Sequence, residues 1–495
     1  MTREECCAVV AEKDMPRTVY DMIVAMQEKY AERPAFRWVD DATKTVQEKT
    51  YGQFVENIRK MTSYLQANVA DVKGQRIVIL SRTNYEYGVV TFGTVMAGAV
   101  IVTLNQKKTW PELEYELGLS EPALIFTDGI DYGYADELKA AYGDKLRPMN
   151  AYEGSTPAEL ANRIDPNALM MLMFTSGTTG RSKGVMLSQK NLFSAMPAFL
   201  NPFDDVKKYT GWNTDEFSSL SALPMFHISA MTSLVSWSIT GHSINLCNNL
   251  KYFYRDLGAM HSEVMAVVPV LLKSIYSDVM RGRRDRLNGL CVLTCGAAMF
   301  DPKILSDMME KGFFVAQMYG LTETCGDGAW NSSQEAKYLT SVGHVDLSCE
   351  YKLDDGELCM RGDPIMLGYY KDPEGTAEVI DAEGWFHTGD IARVEEDGYM
   401  YLTGRKKNVI ILDSGENVSP EELEKLLAPC ADIQECIVKE KDKKICAVIY
   451  CDPAKQDAVK EFVTGVNRGL PLYKRMVPEL SAQPLPRNAM GKLLR

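Results

Sequence analysis

Short apolar runs alternate with longer amphipathic segments along most of the chain. Between the apolar runs, segments such as 51–69 and 269–281 repeat apolar residues every three or four positions, which is typical of helices. The runs with the length and composition of buried strands are "RIVIL" (76–80), "AVIVTL" (99–104), "ALIFT" (123–127), "ALMMLMF" (168–174), "EVMAVVP" (263–269) and "LCVLTCG" (290–296). This alternation predicts an α/β fold with parallel sheets, whose ligand sites lie beyond the carboxyl ends of strands.

The pattern changes at about residue 357, where short strands punctuated by glycine begin and continue to about residue 405. A compact α+β segment follows. Since 495 residues are too many for one ordinary core, more than one domain is expected. We predict a large N-terminal domain of residues 1–405, which includes a small β-rich subdomain, and a small mobile α+β domain of residues 406–495.

One uncharged run, "YGVVTFGTVMAGAVIVTL" at 87–104, has about the length of a membrane span. The glycines, the break at Gly98 and the β-branched residues after it favour a buried helix that continues into a buried strand. We therefore expect no transmembrane segment.

Charge and cysteine content narrow the setting. The chain has 54 basic and 67 acidic residues, a net charge of −13, which disfavours nucleic acid as a partner. Its 12 cysteines are scattered without paired metal-ligand spacing, and the first residues contain no apolar core of a secretory signal. The sequence thus indicates a cytoplasmic protein with reduced thiols.

Candidate chemistry begins at "FTSGTTGRSKGVMLS" (174–188), directly after a predicted strand. Small residues there allow backbone N–H groups to converge on an anion, and hydroxyl groups add donors. The stretch is not a Walker A loop, because counting from Gly177 places Ser182 where that motif needs glycine. It predicts a phosphate-binding loop of another kind, although a plain surface loop has the same composition.

Polar residues in apolar settings recur further along the chain. His227 in "LPMFHIS" has the alternative explanation of a hydrogen-bonded core histidine. In "QMYGLTETCG", Tyr319 suits base stacking, Thr322 a phosphate and Glu323 a Mg²⁺ ion. Each stretch alone is weak evidence.

Two later stretches and the chain end add to this set. Asp390 in "GWFHTGD" and Arg405 suit ribose hydroxyl groups, and Lys492 lies in "LPRNAMGKLLR". Taken in order, the stretches resemble the adenylate-forming superfamily of acyl-CoA synthetases, peptide-synthetase adenylation domains and luciferases. The resemblance rests on "TSGTTGRSKG", "PMFH", "YGLTET", "GELCMRG" with "MLGYY", "GWFHTGD", "GRKKNVIILDSGENVSPEE" and "LPRNAMGK".

This resemblance implies ATP-dependent activation of a carboxylic acid to an acyl adenylate with Mg²⁺, followed by transfer to coenzyme A. Glu323 and Thr175 match the metal site. The catalytic set that it implies is Lys492, Thr322, Glu323 and His227, with Lys492 bridging the carboxylate and the α-phosphate. The nucleotide-binding and coenzyme-binding residues that it implies are Thr175, Ser176, Gly177, Thr178, Thr179, Gly180, Lys183, Gly296, Ala297, Tyr319, Gly320, Asp390, Arg405, Lys407 and Gly415.

Within that set, Lys407 matches the hinge about which the C-terminal domain of relatives rotates, and Gly415 matches the loop that lines the pantetheine tunnel. Two positions depart from the family pattern. Ser182 stands where the family commonly has proline, which should loosen the loop. Asn408 stands where aspartate is frequent, and we expect it to be tolerated.

The acid is the most open part of the prediction. His227 stands where amino-acid-activating relatives usually have aspartate, which argues against an α-amino acid. The residues matching the acyl-pocket walls of relatives are apolar, namely Met225, Phe226, Ala230, Ala297, Ala298, Met318 and Leu321. They favour an aliphatic or fatty acid. The stretches "GRKKNVIIL" and "VVPVLLKSIY" look most like those of bacterial medium- to long-chain acyl-CoA synthetases.

Three alternatives stay open. The first is an aryl acid or o-succinylbenzoate as the substrate. The second is an adenylating enzyme that loads the phosphopantetheine of a separate acyl or peptidyl carrier protein. The third is a nucleotide-binding protein without turnover, which the presence of Glu323, Asp390 and Lys492 disfavours.

Overall fold

The computed structural model describes residues 15–161, 164–175, 182–215, 217–296, 300–345, 348–408, 410–411, 417–441, 444–487 and 493. The helices are α1 Val19–Lys29, α2 Tyr51–Asn68, α3 Tyr85–Met96, α4 Trp110–Ser120, α5 Ala135–Tyr142, α6 Gln189–Thr210, α7 Ile228–Thr240, α8 Phe253–Ala259, α9 Pro269–Met280, α10 Pro302–Glu310, α11 Pro373–Ala377, α12 Pro420–Leu427 and α13 Gln456–Arg468.

The strands are β1 Pro34–Val39, β2 Val46–Thr50, β3 Arg76–Leu80, β4 Val100–Thr103, β5 Leu124–Thr127, β6 Leu146–Pro148, β7 Leu169–Thr175, β8 Lys183–Ser188, β9 Ser218–Ser221, β10 Ser243–Leu246, β11 Val264–Val267, β12 Val292–Cys295, β13 Phe314–Gly320, β14 Gly328–Asn331, β15 His344–Val345, β16 Cys349–Asp354, β17 Glu357–Gly362, β18 Gly368–Tyr369, β19 Phe386–Val394, β20 Met400–Arg405, β21 Ile410–Ile411, β22 Asn417–Val418, β23 Ile433–Lys441, β24 Lys444–Cys451 and β25 Val477–Ser481.

These elements form two compact units. The first unit consists of residues 1–350 and 361–386, and the second of residues 351–360 and 387–495. The boundary predicted near residue 405 is a different one, because it separates the part of the chain that is expected to move. That boundary stays a prediction.

The first unit contains a seven-stranded sheet with the order β18-β8-β7-β4-β3-β5-β6. Strands β7, β4, β3, β5 and β6 are parallel, as the alternation of strands and helices predicts. At one edge, β8 pairs antiparallel with β7, and β18 pairs antiparallel with β8. Helices α2 and α3 pack closely where a Cβ on Gly93 would collide with the side chain of Met61. Glycine at this point lets the two helices approach.

The uncharged run at 87–104 has the structure that its sequence indicates. Helix α3 is followed by a turn at Gly98, with φ of +81°, and then by β4, all of whose residues are buried. Across the described residues, no helix has the length and apolar composition that a membrane crossing requires.

A second sheet of the first unit has nine strands in the order β15-β14-β13-β12-β11-β9-β10-β1-β2. Its six consecutive strands from β13 to β1 are parallel. At the edges, β2 pairs antiparallel with β1, β14 with β13, and β15 with β14. Because β12 and β13 are parallel neighbours, the residues that follow them lie at the same edge of the sheet. Those residues include Gly296 and the 3₁₀ turn Thr322–Thr324.

The second unit has its own core, built by α12, α13 and the sheet β23-β24-β25. It also contains most of the sheet β16-β17-β19-β20. Helix α12 begins as its sequence indicates, with Pro420 at its first position and the Ser419 hydroxyl accepting the backbone N–H of Glu422 at 3.4 Å. The predicted α/β fold with a smaller α+β part is confirmed.

Candidate functional site

The turn after β13 is shaped by a glycine and a buried threonine. A Cβ on Gly320 would collide with the carbonyl oxygen of Gly326, so this close approach requires glycine. The hydroxyl of Thr324, which is fully buried, accepts the backbone N–H of Leu321 at 3.1 Å. These contacts fix the 3₁₀ turn at the edge of the sheet, and the turn carries Thr322 and Glu323.

The carboxylate of Glu323 is held by a tyrosine from β18. The Tyr369 hydroxyl donates to Glu323 Oε1 at 3.0 Å, and the backbone N–H of Met366 donates to the Glu323 carbonyl at 2.8 Å. Burial raises the pKa of Tyr369 and the Glu323 charge raises it further, so the hydroxyl keeps its proton and acts as the donor.

Tyr369 also lies against Lys183, the lysine of the predicted phosphate loop. Lys183 Nζ is 4.5 Å from the centre of the Tyr369 ring and 3.7 Å from Asp372 Oδ2. In the β7–β8 hairpin, Lys183 is paired with Thr175. The structure thus brings Lys183 and Glu323 to the same tyrosine, with the ammonium at its ring and the carboxylate at its hydroxyl.

Tyr369 is the site residue that the sequence prediction missed. The only signal for it was its place in "MLGYY", one of the stretches that carry the resemblance. A hydroxyl that bonds a carboxylate 46 positions away depends on the pairing of β18 with β8, which places Tyr369 opposite Val185.

The nucleotide-base part of the predicted site lies at the ends of β12 and β13. Tyr319 is paired with Ala329 of β14 and is only 9% exposed, and Gly296 directly follows β12. Cys295 of β12 is paired in parallel with Gln317 of β13. Gly296 and Tyr319, which follow these two residues, therefore lie at the same edge of the sheet.

His227 is exposed, so it is not the core histidine of the alternative explanation. It precedes α7 as its N-cap residue, and its ring lies 4.5 Å from the ring of Phe226. The protein atoms around the ring lower the pKa of His227 by desolvation, and the charge of Lys108 lowers it further, although part of the residue faces solvent. The imidazole is therefore neutral at neutral pH.

In the second unit, the two predicted ribose ligands contact each other. Arg405 Nε lies 2.7 Å from Asp390 Oδ1, and the two residues are paired between β19 and β20. Asp390 is buried, and the Thr388 hydroxyl accepts its backbone N–H at 3.1 Å. The pair forms one fixed group with an acceptor and donors, which is the chemistry that a ribose diol needs.

The predicted hinge, Lys407, lies in the exposed 3₁₀ turn Lys406–Asn408 of the same unit. The next residue, Asn408, stands where the family frequently has aspartate. Its side-chain amide donates to Glu421 Oε1 at 2.7 Å. An ionised aspartate at this position has no proton to donate to that carboxylate.

Nine of the predicted residues lie outside the described residues. They are Ser176, Gly177, Thr178, Thr179, Gly180, Ala297, the pocket-wall residue Ala298, Gly415 and Lys492.

One group in the second unit has the side chains of a metal site. Ligand atoms of Asp354, Cys359 and His387 lie within 4.8 Å of one another. However, the Lys406 ammonium and the His387 ring both contact Glu357 Oε2, at 2.7 and 3.2 Å. Burial, and then the Glu357 charge, raise the pKa of the Cys359 thiol to about 11. A protonated thiol beside a lysine favours a hydrogen-bond network over a metal centre.

A small cavity of about 20 Å³ lies beside two residues of the predicted acyl-pocket walls, Met225 and Ala230. Its lining is mostly apolar and includes Trp237, with Ser219, Ser221 and Ser233 as the polar residues. The cavity has room for about one water-sized group.

Comparison with known proteins gives one family and several relatives. The sequence model of the family described as "AMP-binding enzyme" matches residues 24–370. A long-chain-fatty-acid–CoA ligase of Salmonella typhimurium is 26% identical over 94% of this chain and 91% of its own length. A 2-succinylbenzoate–CoA ligase of Bacillus pumilus is 29% identical over 78% of this chain and 79% of its own.

Among solved structures, the o-succinylbenzoate CoA synthetase of Bacillus subtilis in complex with its acyl-adenylate intermediate aligns with a TM-score of 0.79. It covers 96% of each chain at 24% identity, which shows a shared fold.

Proposed function

Because the chain belongs to the AMP-binding enzyme family, we propose that it activates an apolar carboxylic acid, foremost a fatty acid, and joins it to coenzyme A. The enzyme is an acid–thiol ligase that works through an acyl adenylate and uses ATP, Mg²⁺ and coenzyme A.

The observation that carries the proposal is the arrangement around Tyr369. Its hydroxyl fixes the Glu323 carboxylate at 3.0 Å, and its ring holds the Lys183 ammonium at 4.5 Å. A carboxylate and a threonine hydroxyl, from Glu323 and Thr175, are oxygen donors of the kind that Mg²⁺ takes alongside phosphate oxygens. When bound, Mg²⁺ neutralises phosphate charge and favours departure of pyrophosphate.

We assign the remaining roles as the resemblance to the family implies them. Lys183 and the loop 175–180 bind the β- and γ-phosphates, and Thr322 donates to the α-phosphate. Gly296, Ala297, Tyr319 and Gly320 hold the adenine, while Asp390 with Arg405 binds the ribose. His227 lies at the acyl end and adds no charge there, because its imidazole is neutral.

The bond changes divide into two half-reactions. A carboxylate oxygen of the acid attacks the α-phosphorus, the bond to the β-phosphate breaks, and pyrophosphate leaves. The coenzyme A thiol then attacks the acyl carbon and AMP leaves. The Lys492 cation stabilises charge in the first step, and rotation about Lys407 brings Gly415 to the thiol in the second.

Two features of the sequence favour an apolar acid. The predicted pocket-wall residues, among them Met225 and Ala230, are apolar, and His227 stands where amino-acid-activating relatives usually have the aspartate that pairs with a substrate ammonium. The Salmonella relative, by its name, acts on long-chain fatty acids.

A second candidate substrate is an aryl acid such as o-succinylbenzoate. It is favoured by the 29% identity to the 2-succinylbenzoate–CoA ligase of Bacillus pumilus.

The test is pyrophosphate release from ATP with a panel of acids. The panel contains straight-chain fatty acids of increasing length, aryl acids, o-succinylbenzoate and amino acids, each offered coenzyme A or a phosphopantetheinylated carrier protein. We expect fatty acids with coenzyme A to give the highest kcat/KM. A preference for an aryl acid would select the second candidate substrate. Transfer to the carrier protein alone would show that coenzyme A is not the acceptor. If no acid causes release of pyrophosphate, the proposed function is wrong.

A further inference from the structure

Lys108 is an enclosed lysine next to the β7–β8 hairpin. It lies in the loop between β4 and α4, and its side chain is only 9% exposed. Its ammonium donates to Ser182 Oγ at 3.2 Å and also contacts Glu116 Oε1. No sequence motif marks this lysine, and the nucleotide-site residues predicted from the sequence do not include it.

Glu116 anchors the lysine from α4. Its side chain is completely buried, and Lys108 is its ion-pair partner. The second oxygen, Oε2, is buried and has no hydrogen-bond partner among the residues that the structure describes. Because Oε2 is already out of contact with solvent, moving the Lys108 ammonium away would leave the buried carboxylate charge uncompensated, at a large cost in free energy. The Lys108 ammonium is therefore held in place, and its donation to Ser182 comes from a fixed point.

Ser182 is the residue directly before Lys183, at which β8 begins opposite Thr175. A serine here, where the family commonly has proline, predicts a looser backbone. In the structure, the hydrogen bond from Lys108, which lies outside the hairpin, holds this residue instead. Lys108 and Ser182 are 74 positions apart in the chain. Fixing Ser182 fixes the start of β8, and with it the backbone from which the Lys183 side chain reaches the ring of Tyr369.

We propose that Lys108, anchored by Glu116, is a positioning residue that holds Ser182 and thereby sets Lys183 for the phosphates of ATP. The inference rests on the proposed function, because it takes Lys183 as a phosphate ligand. Lys108 does not need to touch the nucleotide. Its effect appears in how tightly ATP binds, since Lys183 contacts the phosphates both before and during the reaction.

The main test is Ser182→Ala, which removes the acceptor from a partly exposed residue and leaves the Lys108–Glu116 pair intact. We expect KM for ATP in acid-dependent pyrophosphate exchange to rise on the order of tenfold, the factor that a hydrogen bond to a charged group typically contributes. At saturating ATP, kcat should stay within about twofold, the pattern of lost ground-state binding. Ser182→Thr keeps the hydroxyl and should keep the KM of the wild type.

The matched control is Lys107→Met, which removes the neighbouring, exposed lysine of the same loop and should leave KM for ATP unchanged. A second route is the double variant Lys108→Met with Glu116→Gln, which removes both charges so that neither is buried alone. It should raise KM for ATP as Ser182→Ala does. Adding Ser182→Ala to it should cause no further rise, because the two changes break the same contact.

Each outcome decides the matter. An unchanged KM for ATP in Ser182→Ala would overturn the positioning role. So would a fall in kcat as large as the rise in KM, if Ser182→Thr is impaired to the same extent. Additive increases of KM in the combined variant would overturn it as well. If the wild type itself releases no pyrophosphate with any acid, the proposed function fails, and the inference fails with it.

Discussion

Tyr369→Phe is the most informative change to the described part of the site, because it removes one hydroxyl and keeps the ring. The hydroxyl is the donor to Glu323 Oε1 at 3.0 Å. The ring that faces Lys183 Nζ at 4.5 Å stays. The variant thus separates the metal-ligand half of the site from the phosphate-cation half.

The magnitude follows from the kind of bond. A hydrogen bond to an ionised group contributes about 1.5–3 kcal/mol. Glu323 has a further interaction besides the Tyr369 hydroxyl, so we take the lower end of that range. About 1.4 kcal/mol is tenfold, and we therefore expect the Mg²⁺ concentration for half-maximal activity to rise roughly tenfold.

The assay is acid-dependent pyrophosphate exchange as a function of free Mg²⁺ at saturating ATP. KM for ATP at saturating Mg²⁺ should change less than about threefold in Tyr369→Phe, because a cation–π contact of about 0.5–1 kcal/mol is retained. Tyr369→Leu removes that contact as well and should raise both quantities. Glu323→Gln removes the carboxylate charge and should shift the Mg²⁺ requirement further than Tyr369→Phe does.

If Tyr369→Phe melts like the wild type and its Mg²⁺ dependence is unchanged, the Tyr369 hydroxyl does not position Glu323 for the metal. If the phenylalanine and leucine variants raise KM for ATP to the same extent, the ring contributes nothing to Lys183.

Three further predictions concern other parts of the chain. Trp237→Leu enlarges the cavity beside Met225 and should shift the acid preference to longer chains, by roughly threefold to fourfold in kcat/KM per added methylene that is buried; an unchanged chain-length profile would remove Trp237 from the acyl pocket. Burial lowers the pKa of His242 from its ordinary 6.5, although its bond to the Thr214 carbonyl opposes the shift, so the unfolded chain takes up the proton first as pH falls. Stability from this group is complete above pH 6.5 and declines below it, by up to about 1.4 kcal/mol per pH unit relative to a His242→Asn variant in urea unfolding, and parallel pH profiles of the two proteins would disprove this. Lys492→Ala should slow adenylation by about 10²–10³ while thioester formation from supplied acyl adenylate changes little; equal losses in both half-reactions would show that the lysine does not act in the first alone.

The parts of the fold that local pattern determines could be predicted from the sequence. The run at 87–104 contains a glycine where the chain must turn, and the structure has α3, a turn at Gly98 and β4 there. The start of α12 at Ser419 and Pro420 is equally local, because the cap and the proline act within one helical turn.

The contacts that assemble the site could not be predicted in that way. Tyr369 reaches Glu323 across 46 positions, and Lys108 reaches Ser182 across 74. Both contacts depend on which strands become neighbours, and no periodicity within one segment encodes that. The sequence also predicted Asp390 and Arg405 as two separate ligands, whereas their pairing between β19 and β20 makes them one group.

The central claim is that the acid's own oxygen attacks the α-phosphorus of ATP before the thiol of coenzyme A takes the acyl group. The direct measurement uses an acid labelled with ¹⁸O in both carboxylate positions, followed by mass spectrometry of the products after one turnover. Because the attacking oxygen stays on phosphorus when the thiol displaces AMP, the account predicts one labelled oxygen in AMP, one in the thioester carbonyl and none in pyrophosphate. Label in inorganic phosphate, formation of ADP, or AMP without label would contradict it.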